Sequence, residues 1–223
     1  MKVNKSFVLR CIFFILGLFV SGLGVALTKT GNLGVSPVSS VANVMSIRFP
    51  RLTIGNWLII WNCVLILGQI IILRKDFKLW QLLQIPLSFL FGYFTDFGMW
   101  IFSVIPASAY YIRVLCVIFG TIVLAFGVTV TVKANVIMNS GEAFVKAIDD
   151  KCSLEFGTIK IIFDVSCVTL SILLSLLLCK GRIVGTREGT IFAALTVGVF
   201  VKLFSKLNFI KALANLNTQT NCE

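Results

Sequence analysis

Histidine is missing from the 223 residues, and acidic residues are scarce, nine against twenty Lys and Arg. Without histidine there is no Ser-His or Cys-His couple, no His-ligated zinc and no histidine-held haem. The seven cysteines, Cys11, Cys63, Cys116, Cys152, Cys167, Cys179 and Cys222, never stand as CxxC and mostly fall inside apolar runs. They read as small, polarisable filling, so no metal and no cofactor is expected. Charge of any kind is thin: 13% of residues, where a soluble domain carries about 25%. What is present instead is apolar, 58% of the chain with a mean hydropathy of +0.99. That surface needs lipid around it, and the length leaves no room for a second soluble domain of ordinary size.

The net charge of +11 comes without a basic stripe, a zinc spacing or an aromatic platform, which argues against nucleic acid. Anionic lipid headgroups are the simpler partner for Lys and Arg at helix ends. The expected fold is all-α, a polytopic membrane protein with about six transmembrane helices. The spans are expected near residues 11–30, 54–73, 79–105 (interrupted by Pro86), 113–132, 159–179 and 189–204. The opening MKVNKSFVLR has the charge order of a signal peptide, but the apolar run behind it is longer than a signal core and reads as a retained first helix. With both termini inside, thirteen Lys/Arg fall on the inner side, among them Lys2, Lys5, Lys160 and Lys211, and seven on the outer, among them Lys180. That favours cytoplasmic termini in a cell membrane of bacterial type.

The chain resembles itself. At an offset of 103, Gly17, Gly24, Thr28 and Asn32 match Gly120, Gly127, Thr131 and Asn135. At 102, Gly55 matches Gly157, and Ile59, Ile60, Trp61 and Asn62 match Ile161, Ile162, Phe163 and Asp164. At 106, Gly92 matches Gly198 and Asp96 matches Lys202. Residues 1–107 and 108–223 therefore read as two repeats within one membrane domain. Three crossings per half would invert the second repeat, the plan of many secondary transporters, whereas four would leave the repeats parallel.

After the first span comes TKTGNLGVSPVSSVANVMS, and after the fourth VKANVIMNSGEAFVKAID. Each holds an Asn and then a helix start, Ser36 before Pro37 in one, Asn139 or Ser140 before Glu142 in the other. The moderately apolar stretch behind each start is too short to span easily. It suits a re-entrant or broken helix whose N-terminus receives a ligand, or an interfacial loop with Asn and Ser as mere caps. Gly31, Gly34 and Gly141 would permit close backbone approach at the breaks, and Gly24 and Gly127 close helix crossing near them. Helix packing through small residues is expected around Gly17-x-x-x-Ser21 but not around Gly120-x-x-x-Leu124.

The candidate substrate-binding residues are Asn32, Ser36, Ser39, Asn62, Asn135, Ser140, Glu142 and Asp164. Asn32 and Asn135 are singled out because they recur, Ser39 and Ser40 by proximity. Asp164, inside an apolar run, must be paired, protonated or turned inward. Asp96 and Lys202 stand near span ends, where snorkelling to the interface explains them. Asp149 and Asp150 read as solvated charge.

The runs GLGVALTKTGNLGVSPVSSV from Gly22, IGNWLIIWNCVLILGQIIIL from Ile54 and GTREGTIFAALTVGVFVKLF from Gly185 resemble the bacterial YczE-like membrane proteins, within a group that also holds YitT-like proteins. The resemblance implies a small bacterial inner-membrane protein and carries no substrate or catalytic residue with it. In the second half Gly34, Ser36 and Pro37 give way to Ile137, Asn139 and Ser140, so a two-fold site would be chemically unequal. Two functions stay open. One is a secondary transporter or permease for a small molecule or ion, working by alternating access between the halves. The other is a non-transporting accessory protein that assists a partner membrane protein in assembly, secretion or signalling; a homo-oligomer is possible with either. No catalytic constellation suggests an enzyme.

Overall fold

The computed structural model describes residues 5–106, 108–152, 156–179 and 181–207, the side chains of residues 5, 6, 156 and 157 excepted. Lys2, Lys180, Lys211 and Cys222 lie outside these residues, as do the side chain of Lys5 and the surroundings of Gly157. The elements are α1 (Lys5–Thr30), α2 (Pro37–Arg48), α3 (Ile54–Leu73), α4 (Gln84–Phe102), α5 (Tyr110–Ala134), α6 (Ser140–Asp149), α7 (Phe156–Leu178) and α8 (Glu188–Phe204). The order long, short, long, long occurs twice. Two short 3₁₀ turns, Arg74–Asp76 and Leu79–Leu83, join α3 to α4, so the interruption expected at Pro86 falls just before it and the proline sits in the first turn of α4.

Among the described residues, five segments are long and apolar enough to cross a membrane: Phe7–Thr30, Ile54–Asp76, Leu79–Phe102, Tyr110–Ala134 and Thr158–Leu178. The protein is thus an all-α, multi-pass membrane protein. Helix α8, with 17 residues, reaches roughly 26 Å at ~1.5 Å per residue.

Helices α1 and α5 form the central pair. A Cβ on Gly17 would meet the Thr131 nitrogen at 2.9 Å, one on Gly24 would collide with the Leu124 backbone, and one on Gly31 would come within 2.7 Å of the Arg113 carbonyl. Numbers rise along α1 as they fall along α5, so the two run antiparallel. Shifted by 103, the Gly17–Thr131 approach becomes that of Gly120 to Thr28, and Gly24–Leu124 becomes that of Gly127 to Ser21. Packing through small residues therefore occurs at Gly120 as well as at Gly17, contrary to the expectation from Leu124, because the glycine meets the partner backbone and the residue four along is not needed. Gly24 and Gly127 sit at this crossing and not at the breaks. Lipid supplies no hydrophobic drive between helices, so such close approach is what dispersion and packing can use. The buried hydroxyls of Ser21, Thr28, Thr121 and Thr129 donate to carbonyls one turn back in their own helices and leave no orphan donor.

Around that pair α4 flanks α1 and α8 flanks α5, while the short helices exchange sides: α2 packs on α7 and α6 on α3. Helix α2 is buried from Pro37 to Val44 except at Val38, so it lies within the bundle and is no interfacial loop.

Candidate functional site

An asparagine with left-handed backbone stands just past α1 and at the C-cap of α5, Asn32 at φ 52° and Asn135 at φ 46°. Among side-chain-bearing residues asparagine tolerates this conformation best, which stops α1 and α5 and turns the chain into α2 and α6. Their recurrence is thus explained by the backbone. The bundle holds an inner and an outer cavity; Asn32 is exposed and lines neither, and Asn135 lines only the outer one. Arg10 donates from Nε to the Ala134 carbonyl at 2.9 Å and from Nη2 to the Asn135 carbonyl, covering the negative end of α5. Its match at the 103 offset, Arg113, lies beside Gly31 at the end of α1. Sequence reading counted both arginines only as charges at span starts, although the shared offset marks them as a pair.

Ser36 is the N-cap of α2 with Pro37 in its first turn, and Asn139 is the N-cap of α6. The two starts meet: a Cβ on Gly141 would touch Val38 at 3.3 Å. Together they wall the inner cavity, about 480 Å³, enclosed by α1, α3, α5, α7 and α8, within the usual ~300–1,000 Å³ of ligand sites. Ser36, Ser39, Asn62, Glu142 and Asp164 all line it. Ser36 donates to Ser39 at 3.0 Å, and Ser140 donates to the Asn62 Oδ1 at 2.6 Å, so Ser140 touches the cavity through Asn62.

Asp164 is paired within its own helix, to Lys160 one turn earlier at 2.6 Å. Lys160 thus belongs to α7 and not to the inner connection where charge counting assigned it. Glu142 forms no hydrogen bond or ion pair with any described residue. Burial above all pushes its carboxyl up from the usual range; the Lys160 ammonium opposes the rise and the Asp164 carboxylate adds to it. Trp61, on the same wall, has a buried indole N–H with no acceptor.

The outer cavity, about 490 Å³, opens beside the first between α3, α5 and α6, lined by Gln84, Asn135, Lys146 and Asp150 among others. Asn139 and Glu142 line both. Gln69 and Gln84, fully inside apolar segments and missed in the sequence, exchange reciprocal amide bonds at 3.2 Å, and Gln69 also donates to the Ser140 carbonyl at 3.1 Å. They anchor the start of α6.

The outer cavity lies at the Asn135 end of the α1–α5 pair, and the inner one runs along its middle, from Phe14 and Thr131 to Val25 and Leu124. The opposite, Asn32 end is closed by a chain of polar contacts. Lys29 donates to Asn43 Oδ1 at 2.9 Å, and Asn43 to the Gly185 carbonyl at 2.7 Å. The Gly189 N–H reaches the Leu33 carbonyl at 2.8 Å, and Arg48 the Leu178 carbonyl at 2.8 Å. At Gly34, φ is +117° and the backbone lies against Thr190, a position with no space for a side chain.

Asp96 does not snorkel. It accepts from the Gly55 N–H at 2.9 Å and the Thr53 hydroxyl at 2.5 Å, so it covers the positive start of α3. Lys202, its match, is exposed. Lys146 pairs with Asp149 and Asp150 at 2.5 and 2.9 Å near the surface. Among the described residues six cysteines are unpaired, and no three Cys, Asp or Glu converge as metal ligands would.

No curated protein and no solved structure matches the chain. Residues 8–206 match a family described as "Family of unknown function (DUF6198)". Since the match covers most of the sequence, this multi-pass membrane protein belongs to the DUF6198 family.

Proposed function

We propose that the protein is a secondary transporter or permease for a small solute, built as an inverted repeat and working by alternating access. What supports this is a polar-ended cavity where the two half-helices meet, beside a second cavity at the Asn135 end, while polar contacts join the helices at the Asn32 end, an arrangement we read as open on one side and shut on the other. That is one of the two states such a cycle needs. The antiparallel α1–α5 pair, with contacts that exchange under the 103 offset, supports the inversion. It also supports α8 as a sixth span, with residues 1–107 and 108–223 as the repeats. Charge distribution favours cytoplasmic termini in a bacterial cell, on which reading the Asn135 end faces inward, and the YczE-like sequence features fit that membrane.

Glu142 stands between the two cavities, where a substrate passing from one to the other meets it. Ser36, Ser39, Asn62 and Asp164 line the path; Asn32 and Asn135 act as the bends about which the half-helices are set. The reading is of a non-enzymatic protein. Uptake by purified protein in liposomes, over a panel of small solutes, tests it: flux is expected for wild type and its loss for Asp164→Asn and Glu142→Gln. No flux over the panel, with stoichiometric co-purification of another membrane protein, would replace it with the accessory role.

A further inference from the structure

The inner cavity is not sealed all round. On one flank α3 and α4 are locked together: a Cβ on Gly55 would collide with the Gly92 carbonyl, one on Gly92 would come within 2.7 Å of the Gly55 carbonyl, and Asp96 bonds the start of α3. On the matching flank α7 and α8 barely touch. Gly198, the match of Gly92, has nothing near it, and the cation of Lys202 stands where Asp96 holds the first pair. The cavity walls there, Ile161, Ala194 and Gly198, are exposed, Ile161 by 66%. Around them Ile162, Val165, Leu195 and Val199 turn apolar side chains outwards, the surface expected against hydrocarbon.

We infer that this gap is a lateral portal to the lipid and that the cavity takes an amphiphilic cation, an apolar body ending in an ammonium-type head. The inference rests on the transporter reading and names its substrate class. Most of the wall is apolar, with Phe14, Leu18, Leu58, Phe91 and Leu124 along it. The charged groups at its polar end are Glu142, Lys160 and Asp164, two carboxylates and one ammonium, and that ammonium is held by Asp164. A cation bound beside Glu142 would balance its carboxylate, which forms no hydrogen bond or ion pair with a described residue. Aromatic surface from Trp61 beside it suits an ammonium head. A dissolved small anion would meet the wrong charge and a dry wall. A lipophilic cation already concentrated in the membrane meets neither obstacle.

The test uses the full chain in nanodiscs, with Trp57, Trp80 and Trp100 replaced by Phe so that Trp61 reports alone. Titration with bromoundecyltrimethylammonium is expected to give saturable quenching of Trp61 that unbrominated dodecyltrimethylammonium displaces. Glu142→Gln is expected to weaken that binding about tenfold, and Glu142→Asp, which keeps the charge, to retain most of it. Bromoundecanoate, an equivalent tail with a carboxylate, is expected to give no displaceable quenching; equal quenching by it, or none by the cation, overturns the substrate class. In a background with all seven cysteines replaced, Ile161→Cys and Gly198→Cys are joined by a bifunctional maleimide. The onset of quenching is then expected to slow at least tenfold, and an unchanged onset overturns the lateral route. Flux of a water-soluble solute without cation binding would sink this inference and leave transport standing, whereas loss of both would sink transport as well.

Discussion

The α3–α4 and α7–α8 pairs come from matching parts of the chain and end in different states. The first is a clamp and the second a gap. Both carry a glycine where backbones could approach, Gly92 and Gly198, yet only one is used. The difference follows the charge four residues later. Asp96 accepts the Gly55 N–H and the Thr53 hydroxyl at the start of α3, the positive end of that helix. A lysine in the matching position offers nothing to such an end and is repelled by it. Small residues permit close packing; a complementary polar contact decides whether it happens.

The contrast between the flanks is most sensitive at the glycines. Gly55→Ala pushes a methyl into the Gly92 carbonyl and the Asp96 carboxylate and is expected to destabilise by ~1–3 kcal/mol or more. Gly198→Ala, facing open space, is expected to be neutral or to stabilise by up to ~1 kcal/mol through helix propensity. Thermal unfolding of the two variants in one detergent checks the contrast, and equal losses would mean that both flanks are clamped.

Next in size is the carboxylate. Asp96→Ala removes two hydrogen bonds to a charged acceptor and is expected to lose ~1.5–3 kcal/mol. Lys202→Ala is expected to stay within ~0.5 kcal/mol, as an exposed residue does. A Lys202→Ala loss as large as that of Asp96→Ala would dissolve the distinction between the two halves.

A third pair of variants asks whether the halves agree where they look alike. Asn32→Ala and Asn135→Ala force a left-handed alanine and are each expected to lose ~1–2 kcal/mol, while the glycine variants are expected to be nearly neutral. If the glycine variants lose as much as the alanine ones, the asparagine side chains, and not their backbones, are what the fold needs.

The smallest effect is in pH. The folded protein holds the Glu142 proton to higher pH than the unfolded chain does, so it binds more protons in that window and its stability falls as pH rises above ~4.3. Glu142→Gln is expected to remove that slope from a melting-temperature profile. Parallel profiles for variant and wild type would show that the carboxyl is ordinarily solvated.

Much of this architecture is legible in the residues because membranes simplify the problem. Apolar runs of about 20 residues mark helices, and α3 runs over the expected Ile54–Leu73. The helix starts at Pro37 and Ser140 follow from local backbone chemistry, as do the bends at Asn32 and Asn135. Of the eight candidate site residues, Ser36, Ser39, Asn62, Glu142 and Asp164 line one cavity and Ser140 supports it. Asn32 and Asn135 do not line that cavity, because recurrence at a fixed offset reports a shared backbone turn as readily as shared chemistry. Gln69 and Gln84 escaped notice, and Arg10 was counted only as an end charge, because their partners are carbonyls and amides brought near only by folding.

From the order of residues alone came a helical membrane protein, its two similar halves and its two short broken segments, since each depends on contacts within a few turns of chain. Only the folded arrangement decided that Asp96 caps a helix, and that one flank closes while its counterpart stays open. Those outcomes depend on which groups meet between separate helices, 41 residues apart for Asp96 and Gly55, and pairing at that distance is set by packing, not by local propensity.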